Sequence, residues 1–167
     1  MSADRAALLD RARKVRLAIF DVDGVMTDGT IYMGADGEAF KAFNILDGHG
    51  LKMLQSAGVA CAILSGRSSQ AVARRAAELS VAHVVQGSAD KVADFEKLMQ
   101  RTGVQADACA FVGDDLPDLA VMKRCGLAVA VANAVAAVKE CAHYVTSTAG
   151  GRGAVREFCE LVLESRR

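Results

Sequence analysis

The sequence contains no tryptophan, and aromatic residues make up only 5% of its 167 residues. Proteins that bind single-stranded nucleic acid stack the bases on aromatic side chains, so this composition argues against that function. Lysine plus arginine and aspartate plus glutamate each number 20, which gives a formal net charge of zero. Nucleic-acid surfaces are usually basic. We therefore expect no nucleic-acid partner.

The sequence also lacks the features of membrane and secreted proteins. No segment is apolar for long enough to span a membrane, and the charged N-terminal region does not resemble a signal peptide. The five cysteines are odd in number and include no C-x-x-C pair, so we expect buried thiols rather than disulfides or zinc ligands. Together these absences predict a cytoplasmic protein with no membrane partner.

The length and the 52% content of hydrophobic residues suit one core, and we expect residues 1–167 to form a single domain. Short apolar runs alternate with helical patterns along the chain. Continuous runs of this kind are typical of strands buried on both faces of a parallel sheet. They occupy residues 17–20, 59–64, 108–112, 127–132 and 143–145. The alternation predicts an α/β fold, a Rossmann-like parallel sheet with helices on both faces.

One stretch, residues 30–43, interrupts this alternation and is here called the flap. Asp36-Gly37 lies between two β-prone arms, which is typical of a hairpin turn. We therefore expect a small β-hairpin inserted after the first strand. A flap of this size has little core of its own, so pairing with the flap of a neighbouring subunit would bury its apolar residues.

Polar and acidic residues follow three of the predicted strands. In open α/β sheets ligands bind at the carboxyl ends of the strands, so we expect Asp21, Asp23 and Asp114 to converge there. Crowded carboxylates are stabilised by a divalent cation, and carboxylate oxygens suit Mg²⁺. The residues at these three strand ends are Asp21, Asp23, Ser65, Gly66, Arg67, Asp114, Asp115 and Asp118.

A phosphate-binding group is also indicated. Lys91 opens a predicted helix and would pair with a phosphate as a point charge. Ser65 and the backbone amides after it would donate hydrogen bonds to phosphate oxygens at a helix start. With a metal, these residues predict phosphoryl transfer through an aspartyl phosphate, in which Asp21 attacks phosphorus and Asp23 acts as acid and base.

The run DVDGVMTDG, followed in order by Ser65, Lys91 and a GDD segment, resembles the haloacid dehalogenase superfamily of phosphatases. A narrower resemblance covers nearly the whole chain. The segments FKAFNILDGHGLKML, ILSGR, QGSADK, FVGDDLPDLAVM and GGRGAVREFCELVL are similar to those of the 3-deoxy-D-manno-octulosonate 8-phosphate (KDO-8-P) phosphatase family. That family implies a magnesium-dependent homotetramer without a cap domain, acting on a sugar-acid phosphate in lipopolysaccharide biosynthesis.

The resemblance also implies a role for each matching residue. Asp21 resembles the nucleophile and a metal ligand, Asp23 the acid/base that offers its backbone carbonyl to Mg²⁺, and Asp114 the third ligand. Ser65 and Lys91 resemble the phosphate-binding pair. Asp115 and Asp118 would support the metal site. In the glycine-rich tail, residues 150–157, Arg152 and Arg156 are candidates for meeting the substrate carboxylate. Positions implied to contact phosphate or sugar are Asn44, Asp47, Gly48, Gly66 and Arg67.

Three alternatives stay open at this point. Leu46 stands where some relatives carry an arginine implied to bind the sugar acid, so a nine-carbon sugar-acid 9-phosphate of the KDN or sialic type is the nearest rival substrate. A non-catalytic oligomerisation module is a second possibility, against which the intact motif set argues. A receiver domain would need an aspartate at the end of the middle strand, where this chain has Ser65.

Overall fold

A computed structural model describes residues 3–167. Within these residues no helix is both long enough and apolar enough to cross a membrane. The helices are α1 Ala3–Lys14, α2 Ile45–Ser56, α3 Gln70–Glu78, α4 Lys91–Thr102, α5 Leu119–Met122, α6 Ala136–Cys141 and α7 Ala154–Glu164. The strands are β1 Leu17–Phe20, β2 Tyr32–Gly34, β3 Gly37–Phe40, β4 Ala60–Leu64, β5 His83–Val85, β6 Cys109–Gly113, β7 Leu127–Ala130 and β8 Tyr144–Val145. Single 3₁₀ turns are formed by Ala106–Ala108 and Leu116–Asp118.

Six strands form one parallel sheet in the order β5-β4-β1-β6-β7-β8. β1 lies in the interior of the sheet, where Leu17 is in register with Ala60 of β4 and Cys109 of β6. All four residues of β1 are buried, as expected for a strand covered on both faces. The predicted parallel sheet is confirmed.

Helices cover both faces of this sheet. α7 packs against α1 and α2, and α3 joins the same layer because Gln55 of α2 donates a hydrogen bond to the carbonyl of Leu79 at 3.0 Å. α5 packs against α4 and α6, which form the opposite layer, as right-handed crossovers in the other direction require. The core joins the first layer to β1, where the rings of Phe20 and Phe158 meet edge to face at 5.6 Å.

One strand of the sheet lies outside the predicted set. β5, His83–Val85, is a three-residue edge strand whose residues are only half-buried, so it leaves no long apolar run in the sequence. The predicted fourth strand also ends early, because β7 stops at Ala130.

The flap forms the predicted hairpin, a separate two-stranded antiparallel sheet. Its two-residue turn is Ala35-Asp36, and Gly37 begins the returning strand with a φ of +112° that favours glycine. The rings of Tyr32 and Phe40 stack with centroids 4.4 Å apart.

Candidate active site

The site lies between β1 and β6, where the order in which the chain adds strands to the sheet reverses. From β1 the chain moves toward β4, whereas from β6 it moves toward β7 on the other side, so the loops after β1 and β6 part and leave a crevice at their carboxyl ends. Asp21 directly follows β1 and its N–H donates to the carbonyl of Val112 at 3.1 Å. The crevice holds a cleft of about 200 Å³. Its lining residues are Asp21, Asp23, Ser65, Gly66, Arg67, Lys91, Asp114, Asp115 and Pro117.

Three carboxylates lie close together at the cleft, two that line it and one that is buried beneath them. One oxygen from each of Asp21, Asp114 and Asp118 lies within 4.8 Å of the others. Burial, reinforced by the nearby Asp118 carboxylate, raises the pKa of Asp21 to about 6, although Lys91 acts in the opposite direction. Burial, together with the charges of Asp21 and Asp118, raises the pKa of Asp114 to about 7.

A divalent cation fits this cluster. Oδ1 of Asp114 is buried and has no hydrogen-bond partner within the described residues, and a buried acceptor without a partner is costly. A hard cation takes oxygen ligands of this kind and would relieve the mutual repulsion of the carboxylates. The side chain of Asp23 is not part of the cluster, and the ligand atom predicted for it is its backbone carbonyl.

Lys91 is the first residue of α4 and reaches the same cluster. The helix begins there because the Asp90 carboxylate accepts hydrogen bonds from the N–H groups of Val92 and Ala93 at 3.0 and 3.1 Å. Nζ of Lys91 lies 2.9 Å from Oδ2 of Asp21 and 2.7 Å from Oδ1 of Asp118. Burial alone would lower the pKa of Lys91, but these two carboxylates outweigh it and raise that pKa. The cleft therefore contains a fixed positive charge beside the Asp21 carboxylate.

Asp118 is the fully buried anchor of the loop after β6. Its Oδ2 accepts hydrogen bonds from the backbone N–H groups of Asp114 and Asp115 at 2.9 and 3.3 Å. Its own N–H donates to the carbonyl of Asp115 at 2.9 Å. One side chain thus fixes both the loop that carries Asp114 and the ammonium group of Lys91.

Ser65 and the two residues after it form a further part of the cleft wall. Ser65 directly follows β4 and is buried, and its N–H donates to the carbonyl of Val85 at 2.9 Å. The Ser65 hydroxyl accepts a hydrogen bond from the N–H of Arg67 at 3.3 Å. Gly66 and Arg67 complete the wall. These residues give the cleft a hydroxyl group and a guanidinium group.

Sequence reasoning missed two charged residues of the flap that reach the site. Nζ of Lys41 lies 2.5 Å from Oδ1 of Asp23 and 3.0 Å from Oε2 of Glu38. Arg67 faces the same pair, with Nε 3.8 Å from Oδ2 of Asp23 and Nη2 3.4 Å from Oε2 of Glu38. The one available signal was a lone lysine between apolar residues in the run AFKAF.

The loop after β1 is held in place by contacts with the glycine-rich tail. Gly24 has a φ of +86°, and a Cβ there would overlap the Asp114 carboxylate. Asn133 bridges the two segments, since its Nδ2 donates to the carbonyl of Gly24 at 3.0 Å and its Oδ1 accepts from the N–H of Gly150 at 2.6 Å. Asn133 is a further residue that sequence reasoning missed.

The chain is similar in sequence to known hydrolases. A family model described as haloacid dehalogenase-like hydrolase matches residues 78–158. The chain is 45% identical over 158 residues to the 3-deoxy-D-manno-octulosonate 8-phosphate phosphatase KdsC of Escherichia coli strain K12, covering 95% of this chain and 84% of that relative. This chain belongs to the KDO-8-P phosphatase family.

Solved structures of the KDO-8-P phosphatase family agree with the fold described above. The phosphatase from Yersinia pestis matches with a TM-score of 0.94 at 45% identity, over 96% of this chain and 86% of that one. The Moraxella catarrhalis phosphatase, solved in complex with magnesium ion, phosphate ion and KDO, matches with a TM-score of 0.92 at 40% identity, over 95% and 91%. The predicted family resemblance and the haloacid dehalogenase-like fold are confirmed.

Three residues that the family resemblance implied as substrate contacts do not line the cleft. Asn44 caps α2, since its Oδ1 accepts from the N–H of Leu46 at 2.8 Å. Asp47 is buried, and its Oδ1 accepts from the N–H of Arg156 at 2.9 Å in the first turn of α7. A Cβ on Gly48 would overlap the side chain of α3 residue Arg75. Each has a structural role here, and a contact with substrate stays a prediction for all three.

Arg152 lies at a second depression, of about 290 Å³, beside the flap. Its guanidinium Nη2 is 3.4 Å from Oδ2 of Asp28, and its side chain is 71% exposed. Tyr32 and Phe43 line the same depression. In this KDO-8-P phosphatase family member Arg152 pairs with Asp28 and does not line the cleft that holds Asp21, so its contact with the substrate carboxylate stays a prediction.

Proposed function

We propose that this protein hydrolyses 3-deoxy-D-manno-octulosonate 8-phosphate to KDO and phosphate, with Mg²⁺, through an aspartyl-phosphate intermediate. The observation that carries the proposal is the meeting of Asp21, Asp114 and Lys91 in one cleft at the switch point of the sheet. Support comes from the 45% identity to a KDO-8-P phosphatase and from a similar structure that contains magnesium, phosphate and KDO. Neither favours the nine-carbon substrate or the non-catalytic module.

The metal would be held by carboxylate oxygens of Asp21 and Asp114 together with the backbone carbonyl of Asp23. Bound Mg²⁺ neutralises negative charge on the phosphate and on the attacking carboxylate. Asp115 and Asp118 support the site, because Asp118 holds the backbone that carries Asp114. The orphaned Oδ1 of Asp114 is the atom that most needs such a partner.

The chain's own residues then perform two transfers. A carboxylate oxygen of Asp21 forms a bond to phosphorus, the bond from phosphorus to the sugar oxygen breaks, and Asp23 gives that oxygen a proton. In the second step Asp23 takes a proton from water, which attacks phosphorus and breaks its bond to Asp21, so that inorganic phosphate leaves. Lys91, Ser65 and Arg67 bind the phosphate oxygens throughout.

The proposal extends to assembly and location. We infer a homotetramer that works in the cytoplasm in lipopolysaccharide biosynthesis. The flap exposes apolar side chains, with Met33 and Phe40 at 68% and 55%, and Ile45, which follows it in sequence, is 80% exposed. Large exposed apolar surface is typical of protein–protein contacts. A neighbouring copy of the chain would cover this surface. Light scattering of the purified protein measures its mass in solution, and we expect the mass of four chains.

The decisive experiment measures phosphate release from KDO-8-P beside a nine-carbon sugar-acid phosphate and simple sugar phosphates. Each is run with Mg²⁺, with chelator, and with the variant Asp21→Asn, using the exposed Asp107→Asn as the matched control. We expect selective, metal-dependent turnover of KDO-8-P that is lost in Asp21→Asn and kept in Asp107→Asn. Preference for the nine-carbon ester would contradict the substrate, with Leu46 the first residue to examine. No turnover of any ester would contradict the enzymatic function.

A further inference from the structure

The Asp23 carboxylate forms an ion pair with a lysine of the flap and not with a residue of its own loop. Lys41 lies 18 positions away in sequence, yet its Nζ is 2.5 Å from Oδ1 of Asp23. The Lys41 side chain is only 2% exposed. A lysine buried to this degree depends on its anionic partners in place of water, so the position of Lys41 and that of Asp23 are coupled.

Lys41 is itself anchored from a second direction. Oε2 of Glu38 lies 3.0 Å from its ammonium group, and Oε1 of Glu38 accepts a hydrogen bond from the hydroxyl of Ser69 at 2.8 Å. Ser69 belongs to the segment that follows β4, so this chain of contacts ties the flap to the main sheet. The network ends at the Asp23 carboxylate.

The contacts of Asp23 differ between its two oxygens. Oδ1 is engaged by Lys41, whereas Oδ2 is 3.8 Å from Nε of Arg67, beyond hydrogen-bond distance. Asp23 also lines the cleft. Anchoring at Oδ1 therefore leaves Oδ2 as the oxygen that can carry a proton to and from the reacting atoms.

We propose that Lys41 is a positioning residue, which aims the Asp23 carboxylate for both proton transfers and makes them depend on the flap being seated against the cleft. This inference rests on the proposed function. A direct contact with sugar is disfavoured, since the Lys41 ammonium is already shared by two carboxylates and has almost no exposed surface. Lys41 acts on the reaction through Asp23.

The test compares Lys41→Met on KDO-8-P and on 4-nitrophenyl phosphate. The sugar alkoxide needs a proton to leave and the nitrophenolate does not, while both routes need Asp23 as the base that activates water. The value of kcat/KM reports steps up to transfer of the phosphoryl group to Asp21. In Lys41→Met we expect kcat/KM to fall about 100-fold for KDO-8-P and less than about 3-fold for 4-nitrophenyl phosphate. We expect kcat for 4-nitrophenyl phosphate to fall about 10-fold or more, because the second step still needs Asp23 as the base.

Two other results would overturn the inference. An equal fall in kcat/KM for both esters would mean a general structural role, and an unchanged kcat for the aryl ester would mean that Lys41 only contacts the sugar. Inactive wild-type protein on both esters would instead remove the proposed function itself. The matched control is Lys52→Met, since Lys52 is exposed on α2, and it should match wild type on both esters.

A second variant keeps the test valid if Lys41→Met fails to fold, as judged by circular dichroism. Glu38→Gln keeps the volume of the side chain and removes the charge that anchors Lys41. We expect the same difference between the two esters, smaller in size. Wild-type kinetics in Glu38→Gln would count against a coupled network.

Discussion

Nζ of Lys91 lies 2.7 Å from Oδ1 of Asp118, a carboxylate with no exposed surface. The pair joins the first residue of α4 to the loop after β6. These two segments are distant in sequence, and the tertiary structure brings them into contact. A buried ion pair is weak evidence for stability as a whole, but removing one partner of a buried charge is costly. Without Asp118, Lys91 would keep only Asp21 of the two carboxylates that hold its ammonium group in the cleft.

The variant Asp118→Asn tests this contact. The substituted amide keeps the shape of the side chain and removes its charge, so we expect the free energy of unfolding to fall by about 3 kcal/mol. We also expect kcat to fall about 10–100-fold, because Lys91 and the backbone of Asp114 lose their anchor. Urea unfolding and phosphate release measure the two effects. Asp107→Asn, at an exposed carboxylate, is the control, and an Asp118 variant that behaves like it would contradict the anchoring role.

The carboxylate cluster makes stability depend on pH in the metal-free protein. The folded pKa values of Asp21 and Asp114, about 6 and about 7, exceed the ordinary value of 3.8. The folded state therefore binds these protons more tightly than the unfolded state does. Ionising the two groups lowers the free energy of unfolding as pH rises from about 4 to about 7, by several kcal/mol in total.

Added Mg²⁺ should reverse that loss, because it stabilises the ionised carboxylates. We expect the rise in Tm on replacing chelator with Mg²⁺ to be larger at about pH 7.5 than at about pH 5. Thermal unfolding at the two pH values measures it, and Asp114→Asn should reduce the difference. Equal shifts at both pH values would show that these carboxylates do not hold the ion.

The close approach of Gly24 to Asp114 gives a test with a matched glycine. Gly24 and Gly58 both have positive φ, +86° and +79°, but only Gly24 has a carboxylate where a Cβ would stand. Gly58→Ala should cost about 1–2 kcal/mol of backbone strain, and Gly24→Ala about 1–3 kcal/mol more because of the overlap. Activity should be lost in Gly24→Ala alone. Equal unfolding free energies for the two variants would contradict the overlap.

Much of the cleft could be predicted from the sequence because its parts are local. β1 is a continuous apolar run that stops at Asp21, and β6 stops beside Asp114 in the same way, so the rule that strand ends meet at one edge brings the two together. The half-buried β5 leaves no such run. Its place at the edge of the sheet is set by pairing with β4, and the spacing of apolar residues in the sequence does not predict that pairing.

The contacts between distant segments could not be predicted in this way. Lys41 reaches Asp23 because the hairpin folds toward the loop after β1. The spacing of residues in the sequence does not predict how a hairpin is oriented relative to the main sheet. Asn44 and Asp47 show a second limit, since a polar residue near glycine is typical of binding loops and of helix caps alike. The structure shows both as backbone caps, and only the fold reveals that the N–H group donating to Asp47 belongs to α7.

Glu157 offers the last test, at the base of the glycine-rich tail. Its carboxylate accepts hydrogen bonds from the hydroxyl of Tyr144 at 2.6 Å and from the N–H groups of Ser147 and Thr148 at 2.8 and 3.0 Å. Burial alone would raise the pKa of Glu157, but the hydrogen bonds from Thr148, Tyr144 and Ser147 outweigh it and lower that pKa to about 2. The ionised carboxylate thus stabilises the fold above about pH 4.5, and that contribution is lost as pH falls toward about 2.

Glu157→Gln should therefore lower the free energy of unfolding by about 2 kcal/mol near neutral pH. The difference from wild type should shrink as pH falls from about 4.5 toward about 2, because the wild-type carboxylate loses its charge over that range. Urea unfolding at a series of pH values measures it, with the exposed Glu140→Gln as control. Since the segment that Glu157 holds leads directly to Gly150, which contacts the loop carrying Asp23, phosphate release should fall several-fold as well. A loss of stability that is the same at every pH would mean that shape, and not charge, is what Glu157 contributes.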